Sequence, residues 1–88
     1  MKEILIDCAS FATPGDFHGF VAQALALPSH YGRNLDALYD CLTALGETRL
    51  AILNPQALVQ NLGPYGAAIT NVLEDAARDN PRLIADFL

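Results

Sequence analysis

Residues 30–42 read HYGRNLDALYDCL, and the spacing of apolar and polar positions there fixes one helix and, with it, the layering of the chain. Asn34 is an N-cap residue, because its side-chain oxygen accepts a backbone N–H that the first turn leaves unpaired. The periodicity predicts a helix from there to about Leu45, with Gly46 as the left-handed residue that closes it. Advancing about 100° per residue from Asp36 puts Leu35, Leu38, Cys41, Leu42 and Leu45 between about 140° and 260°, an apolar stripe that must go inward. Asp36, Tyr39, Asp40 and Thr43 fall on the opposite side, in a stripe about 100° wide. That outward stripe holds two acids one turn apart and no cation. A helix that needed only solubility would place Lys or Arg four residues after an acid, since such pairs stabilise it by ~0.2–0.5 kcal/mol. Asp36 is accounted for by the positive end of the helix dipole. Asp40 lies beyond the first turn, with Asp36, Ala37, Thr43 and Ala44 as its helical neighbours, so no local partner explains its charge.

Reading outward from this helix, residues 2–8 predict a strand through Ile4, Leu5, Ile6 and Cys8. Thr13-Pro14-Gly15-Asp16 then supplies an N-cap, a proline at the first helical position and an acid at the third. A helix follows to about Ala26, with Phe17, Phe20, Val21, Ala24 and Leu25 as its inner face, and Leu27-Pro28-Ser29 ends it. On the other side, residues 49–53 predict a second strand. Asn54-Pro55 repeats the cap-plus-proline start for a short helix near 56–62, and Gly63-Pro64 restarts a longer one to about Arg78. Asn80-Pro81 stops it, and RLIADFL supplies the last strand. Strands separated by helices, with no hairpin dipeptide between them, predict an α/β layer packing whose strands are parallel and covered by helices.

The chain has 88 residues, 17% of them charged and 52% hydrophobic, which suits one globular domain over 1–88 with a single core. A formal net charge of −5 and a pI of about 4.6 argue against direct binding of nucleic acid, whose phosphates this surface repels. A basic protein is attracted instead. Cys8 and Cys41 lie in apolar runs, as buried reduced thiols of a cytoplasmic protein do. Residues 50–73 carry no charge, but Asn54-Pro55, Gln60-Asn61 and Gly63-Pro64 interrupt them, so they are core rather than a membrane span. His30, Tyr31, Gly32 and Arg33 form the loop leading into the acidic helix, and aromatic groups beside charge are typical of interface anchors; Tyr31 could equally close the core.

From ALALP (24–28) through YG.NLDALYDCLT (31–43), and more weakly over the whole chain, the sequence resembles the barstar family, small intracellular inhibitors of secreted guanyl-specific ribonucleases of the barnase type. The resemblance implies a three-stranded parallel sheet packed with about four helices, a chain that is monomeric when free, and no catalysis. The implied binding surface is the second helix and the loop before it, with His30, Tyr31, Arg33, Asn34, Asp36, Tyr39, Asp40, Thr43 and Ala44 as partner-binding residues. In the family the aspartate matching Asp40 occupies the place of an RNA phosphate in the nuclease active site, and Asp36 matches a second acid facing the same cleft. A later acidic contact maps to Asp75, with Glu74 as the neighbouring alternative. Tyr39 and Leu45 stand where the family has tryptophans, His30 replaces a stacking aromatic residue, and Ala44 replaces a glycine.

Two other classes of function fit less well. An acidic carrier or adaptor domain for a different basic partner is suggested by Asp36-Ala37-Leu38, but Ala37 has no hydroxyl on which a prosthetic group could be attached. An enzyme using Cys8 or Cys41 with His18 or His30 lacks supporting spacing, since Cys41 is predicted mid-helix on the inner face, and His18 reads as an ordinary partly exposed helix residue. Two distant His and two distant Cys give no zinc pattern, and no cofactor motif is present.

Overall fold

The computed structural model describes residues 1–88. In chain order it contains β1 (Lys2–Asp7), α1 (Pro14–Ala24), α2 (Leu35–Thr43), β2 (Thr48–Leu53), α3 (Gln56–Leu62), α4 (Pro64–Asp79) and β3 (Leu83–Phe87). The strands form one parallel sheet in the order β1-β2-β3, with Ile4 opposite Leu50 and Leu50 opposite Ala85. This is the α/β arrangement with a three-stranded parallel sheet and four helices that the sequence predicts.

The helices cover one face of the sheet and leave the other open. Ile6, Leu50, Ile52 and Leu83 point into the core and are nearly or fully buried. Along the same strands Leu5, Ile84 and Leu53 point the other way and are 59%, 42% and 36% exposed. The topology gives the reason: when consecutive strands are neighbours in space and crossovers share one hand, both connections return over the same face. On the open face Arg49 holds the row together, with Nη1 2.8 Å from Glu3 Oε1 and Nε 2.6 Å from Asp86 Oδ2.

The start of α1 follows the local chemistry. Thr13 Oγ1 accepts the Asp16 N–H at 3.1 Å, and the Asp16 carboxylate accepts the Thr13 N–H in return, with Pro14 beginning the helix. The other end comes two residues earlier than expected, and Pro28 does not end it. Ala26 adopts a left-handed φ of 51°, its N–H donates to Gln23 O, and the Leu27 N–H donates back to Ala22 O. This pair of bonds is the Schellman closure, with alanine where glycine is usual.

Helix α2 also stops early, at Thr43, and Gly46 has no positive φ. Its last carbonyls are satisfied from across the structure: the Asn80 side-chain amide, 5% exposed, donates to Leu42 O and to Leu45 O at 3.0 Å each. Asn54 does not cap α3 either. Its φ is 55° and its amide donates to Asp7 Oδ1 at 3.1 Å, leaving the turn at Pro55 without a side-chain cap. Strand β1 ends one residue early because Asp7 accepts the Ala9 N–H and winds Cys8–Ser10 into a 3-10 turn.

Gly63, with φ 62°, both ends α3 and starts α4. Gly66 lets the two helices touch, since a Cβ there would lie 1.9 Å from Leu58 O, a backbone atom that has no side-chain torsion with which to yield. Gly66→Ala is therefore expected to lower unfolding free energy by about 3 kcal/mol in urea titrations, whereas Gly46→Ala, with nothing within 4 Å of its Cβ, should shift it by less than about 0.5 kcal/mol.

Candidate partner-binding site

The helix that carries the acidic stripe is fixed at its entrance by Asn34. The Asn34 Oδ1 accepts the Ala37 N–H at 2.8 Å, and its amide donates to Gly32 O at 3.3 Å. Arg33, just before it, takes a left-handed φ of 54°, and its guanidinium turns toward α1, with Nη1 3.6 Å from where a Cβ on Gly19 would sit. Leu38 and Leu42 are buried, and Leu35, Cys41 and Leu45 are half-buried against the core. The opposite stripe therefore faces outward.

Asp36 and Asp40 are both exposed. Each of the protein's four ion pairs involves other carboxylates, and neither Asp36 nor Asp40 accepts a side-chain hydrogen bond. Thr43 turns its hydroxyl back on its own helix, donating to Tyr39 O at 2.9 Å. Ala44 and His30 are exposed. Asp40, with Pro28 and Cys41, lines two hollows. One, of about 300 Å³, is lined by Leu25, Leu27, Pro28, Ala44 and Leu45; the other, of about 200 Å³, by Pro28, His30, Tyr31, Gly32 and Ala37. The protein's largest hollow, about 430 Å³ beside Phe11 and Asn61, has no ionisable lining and lies away from this surface.

Tyr39 and Asp75, also read from the sequence as site residues, are engaged through α4. Tyr39 donates its hydroxyl to Asp79, which holds the Asp79 carboxyl below the usual carboxylate range with help from Arg78. Asp75 Oδ1 lies 3.2 Å from Arg78 Nη1. Its neighbour Glu74 is exposed and unpaired. Asp79 was not among the residues read from the sequence, although it repeats Asp75 one turn later on α4.

Tyr31 closes the core. It is 8% exposed, and its hydroxyl is 2.6 Å from His18 Nδ1, while Tyr65 OH is 2.7 Å from His18 Nε2. His18 is thus not a partly exposed helix residue but 2% exposed and bonded on both sides. Its position four before Ala22 and seven before Leu25 was the available signal. Burial, and to a lesser degree Arg33, lowers the His18 pKa; burial pushes the Tyr31 phenol up to about 12. Burial and Asp7 raise the Cys8 thiol to about 11, so it is a neutral packed group and no nucleophile. Cys41 is also raised, by burial and Asp40, and both cysteines are free. No three His, Cys, Asp or Glu side chains gather closely enough to hold a metal ion.

A sheet with this topology and an acid-bearing second helix has a match at the level of the whole chain: the family model described as Barstar (barnase inhibitor) covers residues 1–86. The chain belongs to the barstar family. Members of the barstar family are inhibitors, not enzymes. A protein of Bacillus subtilis (strain 168) named "Putative ribonuclease inhibitor YrdF" is 33% identical over 81 residues, covering 90% of this chain and 89% of that one.

The His18 arrangement sets a pH dependence. An unfolded histidine takes up its proton near pH 6.5, whereas the native ring resists it, so the unfolded state binds more protons below that pH. His18 thus contributes stability that is complete above pH 6.5 and is lost as the pH falls through its lower native pKa. His18→Phe leaves the Tyr31 hydroxyl buried and unpaired, which should cost about 1–3 kcal/mol at neutral pH. In urea titrations the gap between parent and variant should narrow as the pH is lowered; a gap that stays constant would contradict the assignment.

Proposed function

We propose that this protein inhibits a guanyl-specific ribonuclease of the barnase type by laying the α2 face, with the loop before it, into the enzyme's basic active site. The observation that carries the reading is that Asp36 and Asp40 are exposed, one turn apart and unneutralised by any cation of the chain. Family membership and the Bacillus subtilis relative support a ribonuclease-inhibitor role.

Physically, Asp40 stands in for an RNA phosphate. It is a compact, exposed anion that borders two hollows, so partner groups seated in them would close around it and exclude water, which strengthens each charge contact. Asp36 adds a second anion, and their mutual repulsion is relieved when cations arrive. Tyr39, Thr43 and Ala44 continue the same face, His30 flanks it, and Arg33 and Asn34 shape the loop. Tyr31 lines the smaller hollow while its hydroxyl stays with His18. Asp75 lies at the margin on α4.

The chain acts as a monomer in the cytoplasm of the cell that makes the nuclease, protecting that cell before the enzyme is secreted. Both cysteines being free suits a reducing compartment, and no helix is long and apolar enough to cross a membrane. RNA itself is not a ligand, given the net charge of −5.

Asp40→Ala should weaken binding to a barnase-type enzyme by about 2–5 kcal/mol in inhibition titrations, the cost of truncating one member of a buried interfacial charge pair, a general range that already draws on barnase with barstar. Its melting temperature should stay close to the parent's because the side chain is outward. An unchanged inhibition constant would sink the proposal. Association should also slow as salt is added.

A further inference from the structure

Asp75 and Asp79 are spaced on α4 as Asp36 and Asp40 are on α2, but the two pairs are treated oppositely. The α2 pair is left bare. The α4 pair is clasped by Arg78, whose Nη1 lies 3.2 Å from Asp75 Oδ1 and whose Nε lies 3.4 Å from Asp79 Oδ1. Tyr39 joins the two sets, since it stands on the α2 stripe one turn from Asp36 and donates its hydroxyl to Asp79. Arg78 is therefore linked to the acidic face through side-chain contacts, by way of Asp79 and Tyr39. Of the others, Arg49 is held by Glu3 and Asp86 on the open sheet face, Arg33 turns toward α1 at Gly19, and none of Arg33, Lys2 and Arg82 is paired with a carboxylate.

We propose that Arg78 is a specificity-determining residue of this surface, a resident cation that occupies Asp75 and Asp79 and that an incoming basic protein must displace or avoid. The inference rests on the reading given under Proposed function and names what regulates that same face. Its side chain is 70% exposed, so the clasp is an exposed one, easily opened and weak compared with a buried pair. Two effects act in the same direction. At long range a positive charge beside the acidic stripe lowers the negative potential that draws a basic partner in, which slows association. At short range it occupies a carboxylate that a partner cation would otherwise use. Arg78 thus favours partners whose own cations compensate for opening the clasp and disfavours generically basic proteins.

The same contacts could merely secure the last turn of α4, where a cation suits the helix dipole. The two roles separate in kinetics. With purified barnase as the probe, Arg78→Gln should associate about two- to tenfold faster at low salt, with a steeper loss of rate as salt rises, and should bind more tightly overall. Arg78→Lys keeps the charge and should stay near the parent. Asp75→Asn combined with Arg78→Gln should return most of the gain. Urea midpoints of the three, measured alongside, should stay near the parent's because every altered group is at least half-exposed. If Arg78→Gln associates no faster, or binds less tightly, while Asp40→Ala still weakens binding, the inference is overturned and the inhibitor reading stands. If Asp40→Ala has no effect, or the parent does not bind, the inhibitor reading falls and takes this inference with it.

Discussion

One buried imidazole holds the working parts of this molecule in register. His18 sits between two phenols, one from the loop that leads into α2 and one from α4, so a single ring on α1 ties three separate stretches of chain together. A neutral imidazole donates through one nitrogen and accepts at the other, and a tyrosine hydroxyl can do either, so neutral His18 satisfies both contacts. At the far end of α2 Asn80 does the corresponding job for the carbonyls of Leu42 and Leu45. Between these two anchors the helix has little freedom to roll or slide, so its outward carboxylates project from a backbone held in place. Under the proposed function, a helix already fixed before a partner arrives loses less freedom on binding.

The electrostatic design is a contrast between two helices. On α2 the carboxylates are exposed and unaccompanied; on α4 the same spacing is answered by Arg78, and Tyr39 links the two. On the sheet Arg49 is likewise fully engaged. The chain therefore pairs acids with arginines in two places and leaves the Asp36–Asp40 pair without one, while Glu47 and Glu74 are bare but stand singly. That selective omission, more than the overall charge, distinguishes the α2 face from an ordinary solvated surface.

What could be read from the sequence was what local chemistry decides. The reciprocal bonds of Thr13 and Asp16, the Asn34 cap and the burial of Leu38 and Leu42 depend on residues within a turn of one another, and all three strands lie close to where their apolar runs put them. What could not be read is decided by partners distant in the chain. Gly46 was a reasonable helix terminator, but Asn80 reaches the α2 carbonyls first. Asn54 was a reasonable cap, but Asp7 takes its amide. Alanine at position 26 gives no hint of a left-handed turn. On the candidate surface, the outward direction of Asp36 and Asp40 followed from helical angles alone. The pairing of Tyr39 with Asp79, and the bonds that join His18 to Tyr31 and Tyr65, needed the fold.

The uncovered side of the sheet gives the free carboxylates a second consequence. Leu5, Leu53 and Ile84 offer water a greasy flank around the Glu3–Arg49–Asp86 row, and flanks of this kind invite sticking between molecules. At neutral pH the formal charge of −5 keeps neighbours apart. Acidifying a concentrated solution toward the pI of about 4.6 removes that mutual repulsion while leaving the greasy flank as it was. Under the proposed function, colloidal stability and target recognition draw on the same few anions, so a variant stripped of them to abolish binding also becomes harder to keep in solution.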